Sequence, residues 1–154
     1  MTATIRRAQS PEDGLALIGL IRSLADFENL PGPDDDAVKR FIAHGFERQP
    51  PLYEAYLAED IDAGAIGYVI FFQTYSTFLC KPSLYVEDLF VLPEHRGAGI
   101  GKLLLTRCIQ IATERDCGRV EWTVLDWNTA AQEFYKSLGA KHLSEWHLYR
   151  LMVS

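Results

Sequence analysis

The segment LFVLPEHRGAGIGKLLL, residues 89–105, decides the fold of this chain. An apolar, strand-like run passes through a charged turn to Gly97, Gly99 and Gly101, and a helical pattern follows. A helix N-terminus presents unpaired backbone N–H groups at the positive end of the helix dipole, and glycine lets an anion approach the backbone closely. We therefore expect a phosphate-binding turn, with Arg96 as a charged donor at its mouth. The alternative is that the glycines only allow a tight turn.

The spacing of these glycines does not fit the two common phosphate-binding motifs. The dinucleotide fingerprint is G-x-G-x-x-G, whereas this chain has G-x-G-x-G. A P-loop has four residues between its first glycine and the Gly-Lys pair, followed by Ser or Thr. Here three residues separate Gly97 from Gly101, and Leu103 follows Lys102. An unrelated nucleotide-binding fold is therefore disfavoured.

Length and composition are those of one globular domain, residues 1–154. The chain has 154 residues, of which 48% are hydrophobic and 23% charged, and a net charge of −6 that argues against nucleic-acid binding. We find no apolar run long enough for a membrane span and no signal-peptide pattern, so we expect a cytoplasmic protein. The three cysteines and four histidines are scattered. Neither a disulfide framework nor a metal site is expected.

Hydrophobic periodicity predicts one mixed α/β domain, in which the strands over residues 52–60 and 64–76 are consecutive along the chain. The predicted buried face of the first helix is Leu15, Ile18, Ile21 and Leu24. Ser10 is its predicted N-cap, and Asn128 and Gly139 are predicted to start and stop the last helix. The predicted helices cover residues 10–30, 36–46, 99–116 and 128–140, and the predicted strands cover residues 3–8, 52–60, 64–76, 83–92, 119–127 and 147–154.

Glu87 and Asp88 lie side by side in an otherwise apolar strand. Neighbouring residues in a strand point to opposite faces, so both carboxylates can hardly face bulk solvent if this strand is central. A buried, unpaired carboxylate is costly, so a cation or a hydrogen-bond network should meet at least one of them. The alternative is an edge strand with two solvated acids.

Two segments resemble the GNAT superfamily of acetyl-CoA-dependent N-acetyltransferases. RGAGIG, residues 96–101, is similar to its Arg/Gln-x-x-Gly-x-Gly/Ala signature. LDWNTAAQEFYKSLGAK, residues 125–141, resembles its second cofactor segment, N-x-x-A-x-x-F-Y-x-x-x-G. YVEDLFVLPEHRGAGIG followed by LDWN is similar to the diamine (spermidine/spermine) and thialysine acetyltransferase branch.

The resemblance implies a fold and a set of binding residues. The fold is a mixed, mostly antiparallel sheet of about six to seven strands with four helices, whose splayed central strands form the acetyl-CoA cleft. A homodimer is also implied. The implied cofactor-binding residues are Leu89, Phe90, Val91, Arg96, Gly97, Ala98, Gly99, Ile100, Gly101, Lys102, Asn128, Ala131 and Tyr135.

The resemblance also implies catalytic roles. Glu87 is expected to take the proton of the acceptor amine, and Tyr135 to protonate the leaving thiolate, which a phenol of pKa ~10 suits. Core packing is the alternative for Tyr135, and satisfying backbone N–H groups is the alternative for Asp88. The residues expected to bind the acceptor are Glu28, Tyr75, Glu87 and Asp88.

The sequence thus predicts an N-acetyltransferase that moves acetyl from acetyl-CoA to a primary amine of a small cationic acceptor, by direct attack in a ternary complex. A polyamine, a diamine or a thialysine-like molecule is the expected acceptor. One alternative is the same chemistry on an amino acid, antibiotic or protein amine. Another is an acyl-CoA-binding sensor without turnover.

Overall fold

The computed structural model describes residues 3–153, and the chain divides into two compact units between Trp122 and Thr123. The first unit contains a five-stranded sheet and three α-helices. Its helices are α1 (Pro11–Phe27), α2 (Asp35–Ile42) and α3 (Ile100–Glu114), and its strands are β1 (Ala3–Arg7), β2 (Glu54–Asp60), β3 (Gly64–Ser76), β4 (Lys81–Val91) and β5 (Val120–Glu121).

The strands follow chain order across the sheet, β1-β2-β3-β4-β5. The first three pairings are antiparallel, and β4 and β5 are parallel, so the predicted mixed, mostly antiparallel sheet is confirmed. The prediction of about six to seven strands is slightly wrong, since the sheet has five strands within the described part of the chain. The β4–β5 pairing consists only of Leu84 with Val120 and Tyr85 with Glu121.

Helix α1 begins as predicted. The Ser10 hydroxyl accepts from the Asp13 N–H at 3.2 Å, and the Asp13 carboxylate accepts from the Ser10 N–H, which completes a capping box. The predicted buried face is wrong at Leu15, which is 57% exposed. Leu17 and Leu20 are buried instead, because they lie on the face of the helix that packs against the sheet.

The core of the first unit lies on both faces of the sheet. On one face α1 covers Leu57, Tyr68 and Ile70. Leu104 and Leu105 of α3 are also buried, as is Cys108, whose thiol pKa burial raises to about 12. Within residues 3–153, no helix has both the length and the apolarity needed to cross a bilayer.

The second unit, residues 123–154, contains helix α4 (Thr129–Ser137). Its predicted boundaries are confirmed: the Asn128 side chain accepts from the Ala131 N–H at 3.2 Å, and Gly139 follows the helix with φ 88°. The strand predicted over 119–127 is limited to Val120–Glu121, and none forms over the described residues 147–153. β-Propensity alone does not make a strand, which needs a hydrogen-bonded neighbour.

Candidate active site

A β-bulge brings Glu87 and Asp88 to one cavity. On β3, Ile70 pairs with Asp88 and Phe71 pairs with Val86, so Glu87 is an extra residue in β4. A bulge interrupts the alternation of side chains along a strand. Both carboxylates therefore line the same cavity, although regular pleating would send them to opposite faces. The prediction that neighbouring side chains point to opposite faces is therefore wrong at Glu87 and Asp88.

Asp88 is half-buried and accepts a hydrogen bond from the Tyr68 hydroxyl at 3.0 Å. The pKa of Asp88 is raised to about 6, mainly by burial; the hydrogen bond from Tyr68 opposes the rise, and the negative charges of Glu87 and Glu28 contribute to it. Tyr68 itself is fully buried. The network expected for at least one of the two acids is therefore present at Asp88, and Glu87 is the more exposed of the pair.

The cavity has a volume of about 430 Å³. The sheet contributes one side of it through β3 and β4, and α1, α2 and the segment before β2 contribute the other. His44 and Leu52 are its most exposed lining residues apart from Glu87, so they mark the opening. Within residues 3–153, the residues that line the cavity are Ile21, Phe41, His44, Leu52, Tyr53, Ile70, Phe72, Glu87 and Asp88.

The predicted second helix changes its hydrogen bonding before it ends. Helix α2 stops at Ile42 and continues as a π-helical turn over Ala43–Glu47, a form that is frequent at functional sites. The Tyr53 hydroxyl donates to the Phe41 carbonyl at 2.5 Å, and its ring stacks on Phe41 with centroids 4.7 Å apart. These contacts hold the helical wall of the cavity in place. Sequence reasoning missed this wall, because periodicity does not distinguish a π turn from an α-helix.

The glycine turn forms as expected at the start of α3. Gly97 and Gly99 have φ values of 86° and 83°, a left-handed conformation that glycine adopts without strain. A Cβ at either position would meet nothing within 4 Å. Glycine is therefore favoured here by the backbone conformation and not by a lack of space. Ala98 is exposed beside them.

Gly99 is the N-cap of α3 and supplies no side-chain hydrogen bond. The first hydrogen bond within the helix is donated by the Leu103 N–H to the Gly99 carbonyl. Helix geometry leaves the N–H groups of the first turn without partners inside the helix, and here they belong to Ile100, Gly101 and Lys102. These N–H groups can bind a phosphate.

Arg96 is anchored beside this turn. Its Nε donates to the Val91 carbonyl at 2.8 Å, and its guanidinium lies over the rings of Phe27 and Phe90, 4.8 and 5.3 Å from their centroids. The side chain thus ties the turn to β4 and keeps a positive charge next to it.

The backbone of β4 presents groups to its unpaired edge. The Leu92 N–H donates to the Ile66 carbonyl, so the backbone N–H and C=O groups of Leu92 face β3. Because these groups alternate in direction along a strand, those of Phe90 face β3 as well. The backbone N–H and C=O groups of Leu89 and Val91 therefore face the other edge of β4. On this edge β5 pairs with β4 only at Leu84 and Tyr85. An extended acyl group that lies along this edge meets the backbone of Leu89 and Val91, whereas Phe90 packs into the core.

In the second unit, the Asn128 side chain accepts from the Ala131 N–H and caps α4, as its predicted place at the start of this helix requires. Tyr135 lies two turns further along the same helix, with its ring centroid 5.4 Å from that of Phe134. Burial raises the pKa of the Tyr135 phenol. A raised pKa keeps the phenol protonated near neutral pH, which is the form a proton donor needs.

Two predicted acceptor-binding residues lie outside the cavity lining. Glu28 follows α1 at its C-terminal end, and its charge acts on Asp88. Tyr75 lies near the far end of β3, opposite Pro82, and is 64% exposed. The structure thus brings Glu87 and Asp88 together and leaves Tyr75 apart from them.

Comparison with known proteins identifies the family of this chain. Residues 20–140 match the acetyltransferase (GNAT) family. The chain belongs to this family. It is therefore an acetyltransferase enzyme, and the predicted superfamily is confirmed. Acetyltransferases of the GNAT family use acetyl-CoA as the acetyl donor.

Curated relatives include members of the predicted branch. The chain is 34% identical over 156 residues to a thialysine N-epsilon-acetyltransferase from Bos taurus, over 95% of this chain and 90% of the relative. It is 42% identical over 104 residues to an L-ornithine N5-acetyltransferase from Arabidopsis thaliana, over 67% of this chain and 46% of the relative. A solved integron cassette protein from the mobile metagenome of V. cholerae has a TM-score of 0.83 at 26% identity, over 99% of this chain and 94% of that chain.

Proposed function

We propose that this GNAT enzyme transfers acetyl from acetyl-CoA to a primary amine of a small cationic molecule in a ternary complex. The observation that carries the proposal is the cavity in which the β4 bulge places both Glu87 and Asp88. Diamines, polyamines and thialysine-like molecules are the acceptors that the family resemblance favours. Thialysine and ornithine occur in the names of two relatives.

The start of α3 fits the donor. The uncapped first turn offers the N–H groups of Ile100, Gly101 and Lys102 to the pyrophosphate of coenzyme A, with Gly97 to Gly99 shaping the approach. Leu89 and Val91 offer backbone groups along the edge of β4 for the pantetheine. The N–H of Leu89 is the group that we assign to stabilise negative charge on the thioester oxygen during attack.

The acidic cavity fits the acceptor. A primary amine of pKa ~10.4 is almost fully protonated at neutral pH, so it binds as a cation and must lose a proton before it attacks. Asp88 and Glu87 attract the ammonium, and Glu87, the more exposed acid, accepts the proton directly or through water. The nitrogen–carbon bond then forms, the carbon–sulfur bond breaks, and Tyr135 donates its proton to the thiolate.

The remaining assignments come from the family. We propose that residues 1–154 work as one acetyltransferase domain, which agrees with a family match that covers residues 20–140. We propose a homodimer on the resemblance to the diamine branch, and the cytoplasmic location expected from the sequence remains a proposal.

Thiol release dependent on both acetyl-CoA and an amine tests the proposal. We expect release with at least one small primary amine, together with a rise of the melting temperature in acetyl-CoA alone. A non-catalytic acyl-CoA sensor would give the same rise in melting temperature without any amine-dependent thiol.

A further inference from the structure

We propose that the acceptor is a monoamine with an uncharged, apolar body, such as an arylalkylamine, and that polyamines and amino acids are poorer substrates. This inference rests on the proposed function, because it assigns the substrate class of the same cavity. It departs from the diamine and thialysine acceptors that the family resemblance favours. The distribution of charge along the cavity wall supports this assignment.

The charges of the cavity are gathered at one place. Glu87 and Asp88 are adjacent on β4, and Glu28, which does not line the cavity, acts on the same end. Apart from these two lining acids and His44 at the opening, every lining side chain is apolar or aromatic. The hydroxyl of Tyr53 does not add a polar site, because it donates to the Phe41 carbonyl. A cavity of this kind offers one anchor for an ammonium and apolar walls for everything else.

A polyamine fits this wall poorly. When its reacting nitrogen is anchored at Glu87 and Asp88, its next ammonium, three or four methylenes away, lies against apolar side chains. None of Ile21, Phe41, Leu52 or Phe72 can pair with that charge. A charged group placed against an apolar surface loses hydration without gaining a partner, and this costs binding energy.

An amino-acid acceptor also lacks a partner. Its carboxylate needs a cation, and within residues 3–153 no Lys or Arg lines the cavity. Among the described residues His44 is the one basic side chain of the lining, and it is exposed at the opening. Arg96 is held against Val91, Phe27 and Phe90, next to the glycine turn. The two acids of the anchor would in addition repel a carboxylate on a short acceptor.

An aromatic or alkyl body suits the same surface. The Phe41–Tyr53 pair on the helical side and Phe72 with Ile70 on the sheet side form apolar walls of the cavity, whose whole volume is about 430 Å³. Burying an aromatic group there is favourable through the area that it removes from water. Discrimination of a charged from an apolar body should reach about tenfold or more in kcat/KM.

The test compares kcat/KM for 2-phenylethylamine, 1,4-diaminobutane, spermidine and thialysine, by acetyl-CoA-dependent thiol release. We expect 2-phenylethylamine to exceed each of the others by about tenfold or more. A higher value for spermidine, 1,4-diaminobutane or thialysine would overturn this inference and leave the proposed acetyl transfer intact. Binding of acetyl-CoA without turnover of any amine would overturn the proposed function, and this inference with it.

Leu52 allows a gain-of-function test, because it lines the opening and is 48% exposed. Leu52→Asp supplies the missing carboxylate, so the ratio of kcat/KM for 1,4-diaminobutane over 2-phenylethylamine should rise about tenfold. Leu52→Asn keeps the size without the charge and should not raise this ratio to that extent. Leu30→Asp, at a residue 56% exposed and outside the cavity, is the control for total charge. An equal ratio in Leu52→Asp and Leu52→Asn would overturn the assignment of this cavity to the acceptor.

Discussion

Asp88→Asn should stabilise the folded protein at neutral pH while it impairs acetyl transfer. The pKa of Asp88 rises from its ordinary value of 3.8 to about 6, mainly because the carboxyl is buried. Its ionised form is thus harder to accommodate in the folded state than in the unfolded state. Stability is highest below the unfolded-state pKa, falls as the pH rises through about 6, and stays lower above that. Asparagine removes this penalty and can still accept the hydrogen bond of Tyr68.

The magnitude follows from the shift. Two pKa units at 1.36 kcal/mol each give about 3 kcal/mol, and allowance for solvent at a half-buried carboxyl leaves about 1–3 kcal/mol at neutral pH. In a domain of this size that corresponds to a rise in melting temperature of roughly 3–10 °C. At pH ~4 the gain should nearly vanish, because Asp88 is then protonated in the folded protein.

The assay is thermal or urea unfolding of both proteins across this pH range, with Glu133→Gln as the control, since Glu133 is an exposed acid on α4. An Asp88→Asn protein that is no more stable than the wild type at pH ~7.5, or equally stabilised at both pH values, would refute the reasoning. The same variant should lose kcat/KM for the amine, because one of the two anchoring carboxylates is gone.

Three further predictions concern catalysis and the donor site. Tyr135→Phe should lower kcat with little change in the Kd for acetyl-CoA, measured by calorimetry; a large loss of affinity with turnover preserved would exclude its role as the acid. Glu87→Gln should weaken kcat/KM most near pH 7, where few acceptor amines are deprotonated; activity equal to wild type between about pH 6 and 9 would make Glu87 a structural residue. Gly99→Ala should cost roughly 1 kcal/mol of unfolding free energy and weaken acetyl-CoA binding, because its φ of 83° is strained with a Cβ. Gly19→Ala in the middle of α1 is its control and should be neutral or stabilising, since nothing lies within 4 Å of the added Cβ; equal loss in both variants would contradict the argument.

Several features of the fold could be predicted because they depend on local chemistry. The capping box at Ser10, the cap at Asn128 and the left-handed Gly139 each use residues within a few positions of one another. The strand over Gly64–Ser76 is bounded by turn residues and is found at its predicted limits. The glycine turn was predicted on the same local grounds.

Other features depend on distant contacts. Leu15 fits the helical period yet points to solvent, since the face that packs is set by the sheet, not by the helix. The bulge at Glu87 depends on the register between β3 and β4, which no short pattern in β4 specifies. The cavity wall of Phe41, His44 and Tyr53 forms only when the π turn and the segment before β2 lie next to each other. The one sequence signal for this wall was His44 with a neighbouring aromatic, and that pattern is too common to identify a site.

The most direct test of the account is a stoichiometric measurement of acetyl transfer. The protein is incubated with acetyl-CoA alone and with 2-phenylethylamine added, and free thiol and N-acetylated amine are quantified in both samples. We expect no thiol release beyond the enzyme-free rate without amine, and thiol equimolar with N-acetylated amine when amine is present. Thiol released in proportion to the protein without amine would show a covalent acetyl-enzyme and contradict direct attack. Binding of acetyl-CoA that yields no acetylated amine, with this or any other primary amine, would contradict the assignment of an acetyltransferase site to Glu87 and its cavity.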